Sequence, residues 1–133
     1  MFEWKPEYSV DLPVIDAQHQ RLFALAGELH AALINGKGYS VLEQCLASLV
    51  DYTKVHFASE ERLMARYSYP QTREHIHEHE QLAAQVISWQ VKFRTGETTL
   101  GLDMLMFLKS WLEHHIAGSD QRYSAHIRSQ TAA

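Results

Sequence analysis

The sequence has little of what disulfide-stabilised, membrane-spanning or polyanion-binding proteins require. It contains one cysteine in 133 residues, so no internal disulfide can form. No stretch approaches the roughly 20 apolar residues of a membrane-spanning helix, so membrane insertion is not expected. The 12 basic residues are outnumbered by 16 acidic ones and form no basic run, which argues against a nucleic-acid partner.

Signals for export and for β-structure are also missing. The first residues lack the charged and apolar regions of a signal peptide, so a cytoplasmic location is expected. A reducing compartment agrees with the single Cys45, which is interpreted as an inert core residue. No segment has the alternating pattern of a strand, so the chain is expected to be all-α.

Apolar residues recur with a helical period of 3.6 over four segments. These segments cover residues about 17–36, 41–66, 70–94 and 100–117. They predict an antiparallel up-down four-helix bundle with short connections. Residues 1–15 are predicted to form an irregular arm that packs on the bundle, and Asp16 is predicted to cap the first helix. The whole chain, 1–133, is interpreted as one domain, with the bundle over 16–117 and a tail over 118–133 that includes a short helix from about Asp120 to Arg128.

Histidine is present in excess, with nine residues. His56 and Glu60 are four residues apart, as are His75 and His79. On a helix this spacing places both members of a pair on one face. A single pair of this kind is weak evidence, because such pairs also occur on solvated faces. Here, however, both pairs continue the apolar stripe of their helix, which places them in the core.

Further candidate ligands lie on the other two helices. Buried imidazoles and carboxylates without partners would be costly, so these groups are expected to converge on metal. Nitrogen and oxygen ligands without thiolates suit iron, manganese, zinc or nickel. The candidates are too many for one ion and predict a two-metal centre: His19, His56, Glu60, His75, His79, His115 and Asp120.

Asp120 requires a change in the fourth helix. It follows His115 by five residues, so on a regular α-helix it would point about 140° away. Gly118 and Ser119 lie between them and are predicted to break the helix, which a positive φ at Gly118 would allow.

An open coordination position is expected at this centre. If Glu60 and Asp120 each bridge two octahedral metals, and one solvent oxygen also bridges them, five imidazoles leave one position free. Apolar residues beside the ligands are expected to wall a dry pocket around it: Leu22, Phe57, Trp111, Leu112 and Ile116. The remaining histidines are interpreted as surface or boundary residues: His30, His77, His114 and His126. Tyr123 is interpreted as a packing residue.

The ligand motifs resemble those of the hemerythrin family, in particular its single-domain bacterial members. The matching elements span nearly the whole chain and fill all seven ligand positions. They are Asp16-x-x-His19, His56-Phe57-x-x-Glu60-Glu61, His75-x-x-x-His79 and Trp111-x-x-x-His115-Ile116-x-x-x-Asp120.

The resemblance implies a non-haem di-iron centre that binds O2 reversibly. It implies that Glu60 and Asp120 bridge two iron ions together with an oxo or hydroxo group. It assigns the six-coordinate iron to His75, His79 and His115, and the iron with the open position to His19 and His56. Positions that match the O2 pocket of the family are Leu22, Trp111, Leu112 and Ile116.

The function expected from this resemblance is O2 carriage, storage or delivery by a monomer that is not an enzyme. An O2-consuming enzyme is a candidate recipient. Imidazoles outnumber carboxylates among the ligands, which favours O2 binding over turnover. Two alternatives remain open: O2 or redox sensing through a partner protein, and a di-iron oxidase or peroxidase.

Overall fold

The computed structural model describes residues 2–96 and 101–131, and the described chain is helical. Its helices are α1 (Pro13–Ile34), α2 (Tyr39–Arg66), α3 (Thr72–Arg94), α4 (Leu102–His114) and α5 (Gln121–Thr131). A 3-10 turn at Pro6–Tyr8 precedes α1, and a π-helical segment at His115–Asp120 joins α4 to α5. The predicted four-helix bundle with a C-terminal helix is therefore confirmed. The fourth helix was predicted to begin at about residue 100, and residues 97–100 lie outside the described residues.

Short connections make α1 and α2, and likewise α2 and α3, antiparallel neighbours. Gly36, with a φ of 64°, ends α1 in the left-handed conformation that glycine adopts without steric cost. α1 packs along α2, α2 packs along α3, and α1 also contacts α4. Within residues 2–96 and 101–131, no helix combines the length and the apolar character needed to cross a lipid bilayer.

The first helix begins earlier than predicted, and Asp16 does not cap it. α1 starts at Pro13, where the missing N–H costs no intrahelical hydrogen bond. Asp16 lies within the first turn and accepts hydrogen bonds from the Val10 backbone N–H (2.8 Å) and the Ser9 hydroxyl (2.6 Å). Its carboxylate therefore holds the arm against α1.

The arm packs on the bundle, as predicted. Tyr8 is buried and stacks on Phe23 with 5.3 Å between ring centroids, and Trp4 meets Phe23 edge-on at 5.8 Å. The Tyr8 hydroxyl also donates a hydrogen bond to Glu113 of α4 (3.3 Å). The arm thus covers the side of the bundle where α1 and α4 meet.

Two apolar clusters form the core. The larger includes Leu22, Phe57, Leu82 and Leu112, and fills the bundle. The smaller lies between the arm, the end of α2 and α5, and consists of Val10, Ile15, Met64, Tyr69, Tyr123 and Ile127. Along α1, His19 lies between Ile15 of the smaller cluster and Leu22 of the larger one. A layer of polar side chains therefore separates two apolar ones.

The predicted break at Gly118 is wrong. Among the described glycines, positive φ occurs at Gly36 and Gly96, and Gly118 is helical. The chain instead continues through the π-helical segment, in which hydrogen bonds join residue i to residue i+5. Because residues five apart are nearly aligned in this wider turn, Asp120 returns to the face of His115 without a break.

Replacing Gly118 by alanine is therefore expected to be tolerated. A Cβ at this position would meet Arg122 Nη1 at 3.8 Å, an ordinary van der Waals contact. Alanine is favoured over glycine in a helix by about 0.5–1 kcal/mol, so the melting temperature should stay constant or rise. Thermal unfolding followed by circular dichroism, with iron content measured in parallel, tests this. A clear loss of stability or of iron in Gly118→Ala would show that this position does require glycine.

Candidate metal centre

The structure brings all seven predicted ligand residues together in the polar layer of the core. Each is 5% exposed or less, and Glu60 and Asp120 are completely buried. One side chain comes from α1, two from α2, two from α3 and two from the π-helical segment. Three helices and the π-helical segment that follows α4 therefore contribute to one site, as the helical spacing of the sequence indicates.

Three histidines surround one end of the carboxylate pair. His75 Nε2 lies 3.1 Å from Glu60 Oε2 and 3.0 Å from Asp120 Oδ1. His115 Nε2 lies 3.0 Å from the same Asp120 oxygen, and His79 Nε2 lies 3.6 Å from Glu60 Oε2. Together with both carboxylates they form a group whose ligand atoms all lie within 4.8 Å of one another. We call this group the three-histidine site.

Two histidines face the other oxygens of the same carboxylates. His19 Nε2 lies 3.0 Å from Asp120 Oδ2 and 3.4 Å from Glu60 Oε1. His56 Nε2 also contacts Glu60 Oε1. These four residues form a second group within the same 4.8 Å limit, which we call the two-histidine site. Since Glu60 and Asp120 belong to both groups, the geometry is that of two metal positions with two shared carboxylates.

Hydrogen bonds on the far side of the imidazole rings fix the orientation of three histidines. His79 Nδ1 lies 3.0 Å from Glu61 Oε2, and His115 Nδ1 lies 3.0 Å from Glu78 Oε2. Because a carboxylate only accepts hydrogen bonds, both Nδ1 atoms must carry hydrogen.

His56 is held by an amide. Its Nδ1 lies 2.7 Å from the side-chain oxygen of Gln18, whose amide nitrogen donates to Ser59 Oγ (3.1 Å). The Nε2 atoms of all three rings are then free to bind a metal through their lone pairs.

The arrangement of polar atoms fits a cation. His79 Nε2 and His115 Nε2 lie 3.2 Å apart, so two neutral rings that carry hydrogen on Nδ1 would aim their lone pairs at each other. Both oxygens of Asp120 are buried and accept no hydrogen bond within the described chain, although imidazole nitrogens lie 3.0 Å away. Such groups would be costly to bury without partners. Metal ions would satisfy the lone pairs and the carboxylate charge together.

The electrostatics of the site favour ionised carboxylates. Burial would raise the pKa of Glu60, but the neighbouring histidines, with the charge of His56 first, hold it well below its usual range. The pKa of Asp120 is likewise lowered by His115 and His19, against burial and the charge of Glu60. Burial would lower the pKa of His19, but the two carboxylates have the larger effect and raise this pKa to about 9. Anionic oxygens are the form in which carboxylates bind metal.

An apolar cavity of about 20 Å³ is lined in part by two aromatic rings that pack on ligand histidines. The predicted pocket residues Leu22, Phe57, Trp111 and Leu112 all line it. The ring of Phe57 stacks on His79 and that of Trp111 on His115, with centroids 3.7 and 4.3 Å apart. Ile116 is 1% exposed and belongs to the same core cluster, but it is not among the residues that line the cavity.

The other histidines lie outside the layer of ligands. His77 and His114 are exposed, and His30 and His126 are partly exposed. Cys45 is partly buried against the larger core cluster and is not part of the site. Tyr123 is fully buried in the smaller cluster, and its ring meets His75 edge-on at 5.2 Å.

The residues that orient the ligands were not predicted as site residues. Gln18 and Glu61 are next to ligands in the sequence, which is a usable signal. Glu78 also precedes a ligand, His79, but the histidine it orients is His115, 37 positions away on another element, and the sequence does not indicate that pairing. The Glu78 carboxylate also accepts a hydrogen bond from Ser119 Oγ (2.5 Å), and its pKa is lowered to about 2, chiefly by the hydrogen bond from His115.

Fold and site together define a helical-bundle protein with a buried dinuclear site of histidines and carboxylates. The family model described as Hemerythrin HHE cation binding domain matches residues 10–127. The chain therefore belongs to the hemerythrin family, which binds O2 at a di-iron centre.

Individual relatives agree over most of the chain. It is 32% identical to a bacteriohemerythrin of Stenotrophomonas maltophilia over 126 residues, which are 95% of this chain and 81% of that protein. It is 34% identical to a bacteriohemerythrin of Pseudomonas aeruginosa over 125 residues, covering 94% and 80% of the two chains. A crystal structure of wild-type hemerythrin superimposes with a TM-score of 0.89 at 30% identity, covering 94% of this chain and 96% of the other.

Proposed function

We propose that the protein binds O2 reversibly at a di-iron centre and serves as an O2 carrier, store or delivery protein. The observation that carries this proposal is the pair of ligand groups that share both carboxylates beside an apolar cavity. The proposed iron ligands are His19, His56, Glu60, His75, His79, His115 and Asp120.

The two ligand groups are unequal, which supports a binding role. The three-histidine site offers five protein ligands and the two-histidine site offers four. Two iron ions, when bound, would supply an open coordination position and the electrons that O2 binding requires. We place the open position at the two-histidine site, because it has fewer protein ligands. The chain's own contribution is to hold Glu60 and Asp120 between both positions.

The cavity would admit O2 and exclude water. Its walls are apolar except for Thr53, whose hydroxyl already donates to the Leu49 carbonyl oxygen (2.7 Å). A space of this volume can hold about one small molecule, and an apolar one stays dry. No ionisable group lines it among the described residues, so no side chain there can supply a proton. These properties favour release of bound O2 over its further reduction.

Cycling the reduced protein between O2 and inert gas tests the proposal. The visible spectrum should change when O2 is added to the anaerobic protein and return when O2 is removed, over repeated cycles. A spectrum that returns only after fresh reductant is added would support an oxidase or peroxidase and contradict reversible binding. A partner that binds only one oxidation state in a pull-down would instead support sensing.

Leu112→Asn is expected to accelerate autoxidation of the O2-bound protein. Leu112 is 6% exposed and lines the cavity, so an amide there would attract water next to the ligands. We expect autoxidation to be about tenfold faster or more, which corresponds to about 1.4 kcal/mol in the barrier. Decay of the O2-dependent absorption measures it.

Leu29→Asn is the matched control for this variant. Leu29 is equally apolar and completely buried in the same cluster, but it does not line the cavity. Both variants should lower the melting temperature, and only Leu112→Asn should change the decay rate. Equal rates in the two variants would show that the cavity does not protect bound O2.

A further inference from the structure

The contacts that hold the histidines differ between the two metal positions. At the three-histidine site, Glu61 and Glu78 accept hydrogen bonds from His79 and His115, each at 3.0 Å. Hydrogen bonds to charged groups are stronger than those between neutral groups, and they make the imidazole a better metal ligand. Two of the three rings at this site are therefore oriented and activated by carboxylates before metal binds.

The two-histidine site has weaker support. The partner of His56 is the neutral amide of Gln18, at 2.7 Å. His19 Nδ1 is buried and has no hydrogen-bond partner within the described chain. This site also has one imidazole fewer. The number of imidazoles, the charge of their hydrogen-bond partners and the orientation of the rings therefore all favour tighter metal binding at the three-histidine site.

Solvent also reaches the three-histidine site. Two polar grooves of about 270 and 230 Å³ meet at Glu78 and Ser119. His75 lines the first groove and His115 lines the second. Glu74 lies in the first groove as well, so an incoming cation would pass carboxylates on its way to these ligands.

We propose that the two metal positions fill in a fixed order, the three-histidine site first and the two-histidine site second with lower affinity. Glu61 and Glu78 act as positioning residues for the first ion, and Gln18 acts as the positioning residue for the second. The first ion also binds Glu60 and Asp120, so it orients the carboxylates for the second ion while repelling it by its charge.

The order of metal binding also determines when the chain can bind O2, a consequence that rests on the proposed function. The open position belongs to the site that fills second, so a chain with one iron ion would hold metal without binding O2. The capacity to bind O2 would then follow the occupancy of the weaker site, and iron supply would control it.

A cobalt titration tests the order without depending on O2. The full chain, stripped of metal and shown by circular dichroism to keep its helices, is titrated anaerobically with Co²⁺ and followed by calorimetry and visible absorption. Two separate steps are expected, with the first about tenfold tighter or more. Two equal steps, or two ions bound only together, would overturn the proposal.

Variants assign each step to its positioning residue. Glu78→Gln keeps a hydrogen-bond acceptor and removes the charge, so the first step should weaken about tenfold, while the second changes little. Glu61→Gln should act in the same way. Gln18→Glu should raise the metal affinity of the second step and so reduce the difference in affinity between the two steps. If Glu78→Gln weakened both steps equally, its role would be structural and the assignment would fail.

Glu74→Gln is the matched control. It removes the same charge from the same groove, but Glu74 makes no side-chain hydrogen bond to a ligand among the described residues. In Glu74→Gln, neither step should lose as much metal affinity as the first step loses in Glu78→Gln. If the two variants lost the same affinity in the first step, the positioning role of Glu78 would be overturned. If cobalt binds in the expected order and the reduced iron protein shows no reversible O2 binding, the loading order stands and the proposed function fails.

Discussion

His56→Ala is expected to abolish O2 binding while the helices stay folded. His56 is one of only two imidazoles at the two-histidine site, and it is 1% exposed. Without it, that position would retain His19 and the two shared carboxylates, too few ligands to hold iron firmly. The polar groups left without a partner, Gln18 among them, should cost about 1–3 kcal/mol. Both apolar clusters remain intact, so circular dichroism should still show a helical protein.

The measurement is iron content together with the response of the visible spectrum to O2. Iron should fall from two ions toward one per chain, and the O2-dependent change should disappear. His77→Ala is the control, because His77 lies between two ligands in the sequence and is exposed. If His77→Ala destroyed the centre and His56→Ala did not, the assignment of His56 as a ligand and of His77 as a surface residue would be refuted.

Asp120→Ala is expected to have a comparably large effect on both metal positions. Its two oxygens each lie 3.0 Å from histidines of different sites, Oδ1 near His75 and His115 and Oδ2 near His19. If Asp120 holds both ions as proposed, removing its carboxylate would take away one ligand at each metal position and one of the two groups that the positions share. The affinity loss should exceed the roughly 10–100-fold typical of an outer hydrogen-bond partner.

Iron retention during dialysis against a chelator measures this loss. Asp51→Ala is the control, since Asp51 is exposed on α2 and loses the same charge. The control should retain iron like the parent protein. Full retention in Asp120→Ala would mean that Glu60 alone bridges the ions, contrary to the shared geometry described above.

Local periodicity explains why most of the site could be predicted from the sequence. Residues four apart share a helix face, so the pairs His56 with Glu60 and His75 with His79 pointed into the core once their apolar neighbours were known. The bundle followed from the same periodicity and from short connections. These features depend on neighbours within one or two turns, and the sequence contains that information directly.

Asp120 shows where local reasoning ended. Its place in the site was predicted, but by a glycine break that does not exist. The residue types of Gly118 and Ser119 do not indicate a π-helical segment, because helix propensity does not distinguish it from a simple helix break. It is compatible with the packing of α5, whose Tyr123 and Ile127 enter the smaller apolar cluster. Such a segment is determined by tertiary contacts, which periodicity does not report.

The start of α1 and the outer hydrogen bonds were missed for related reasons. Asp16 has the right residue type for a cap, but the arm returns to it and takes its carboxylate for Ser9 and Val10. Glu78 and His115 become partners only because α3 and the π-helical segment lie side by side. Contacts between distant parts of the chain require the fold before they can be assigned.

An optical titration of the reduced protein with O2 shows whether the seven side chains hold two iron ions that act together on one O2. Protein of known iron content is titrated with O2-saturated buffer in a closed anaerobic cell, and the solution is afterwards purged with inert gas. We expect an end point at one O2 for every two iron ions, and a return to the starting spectrum after purging. An end point at one O2 per iron ion, or a spectrum that does not return, would contradict this expectation.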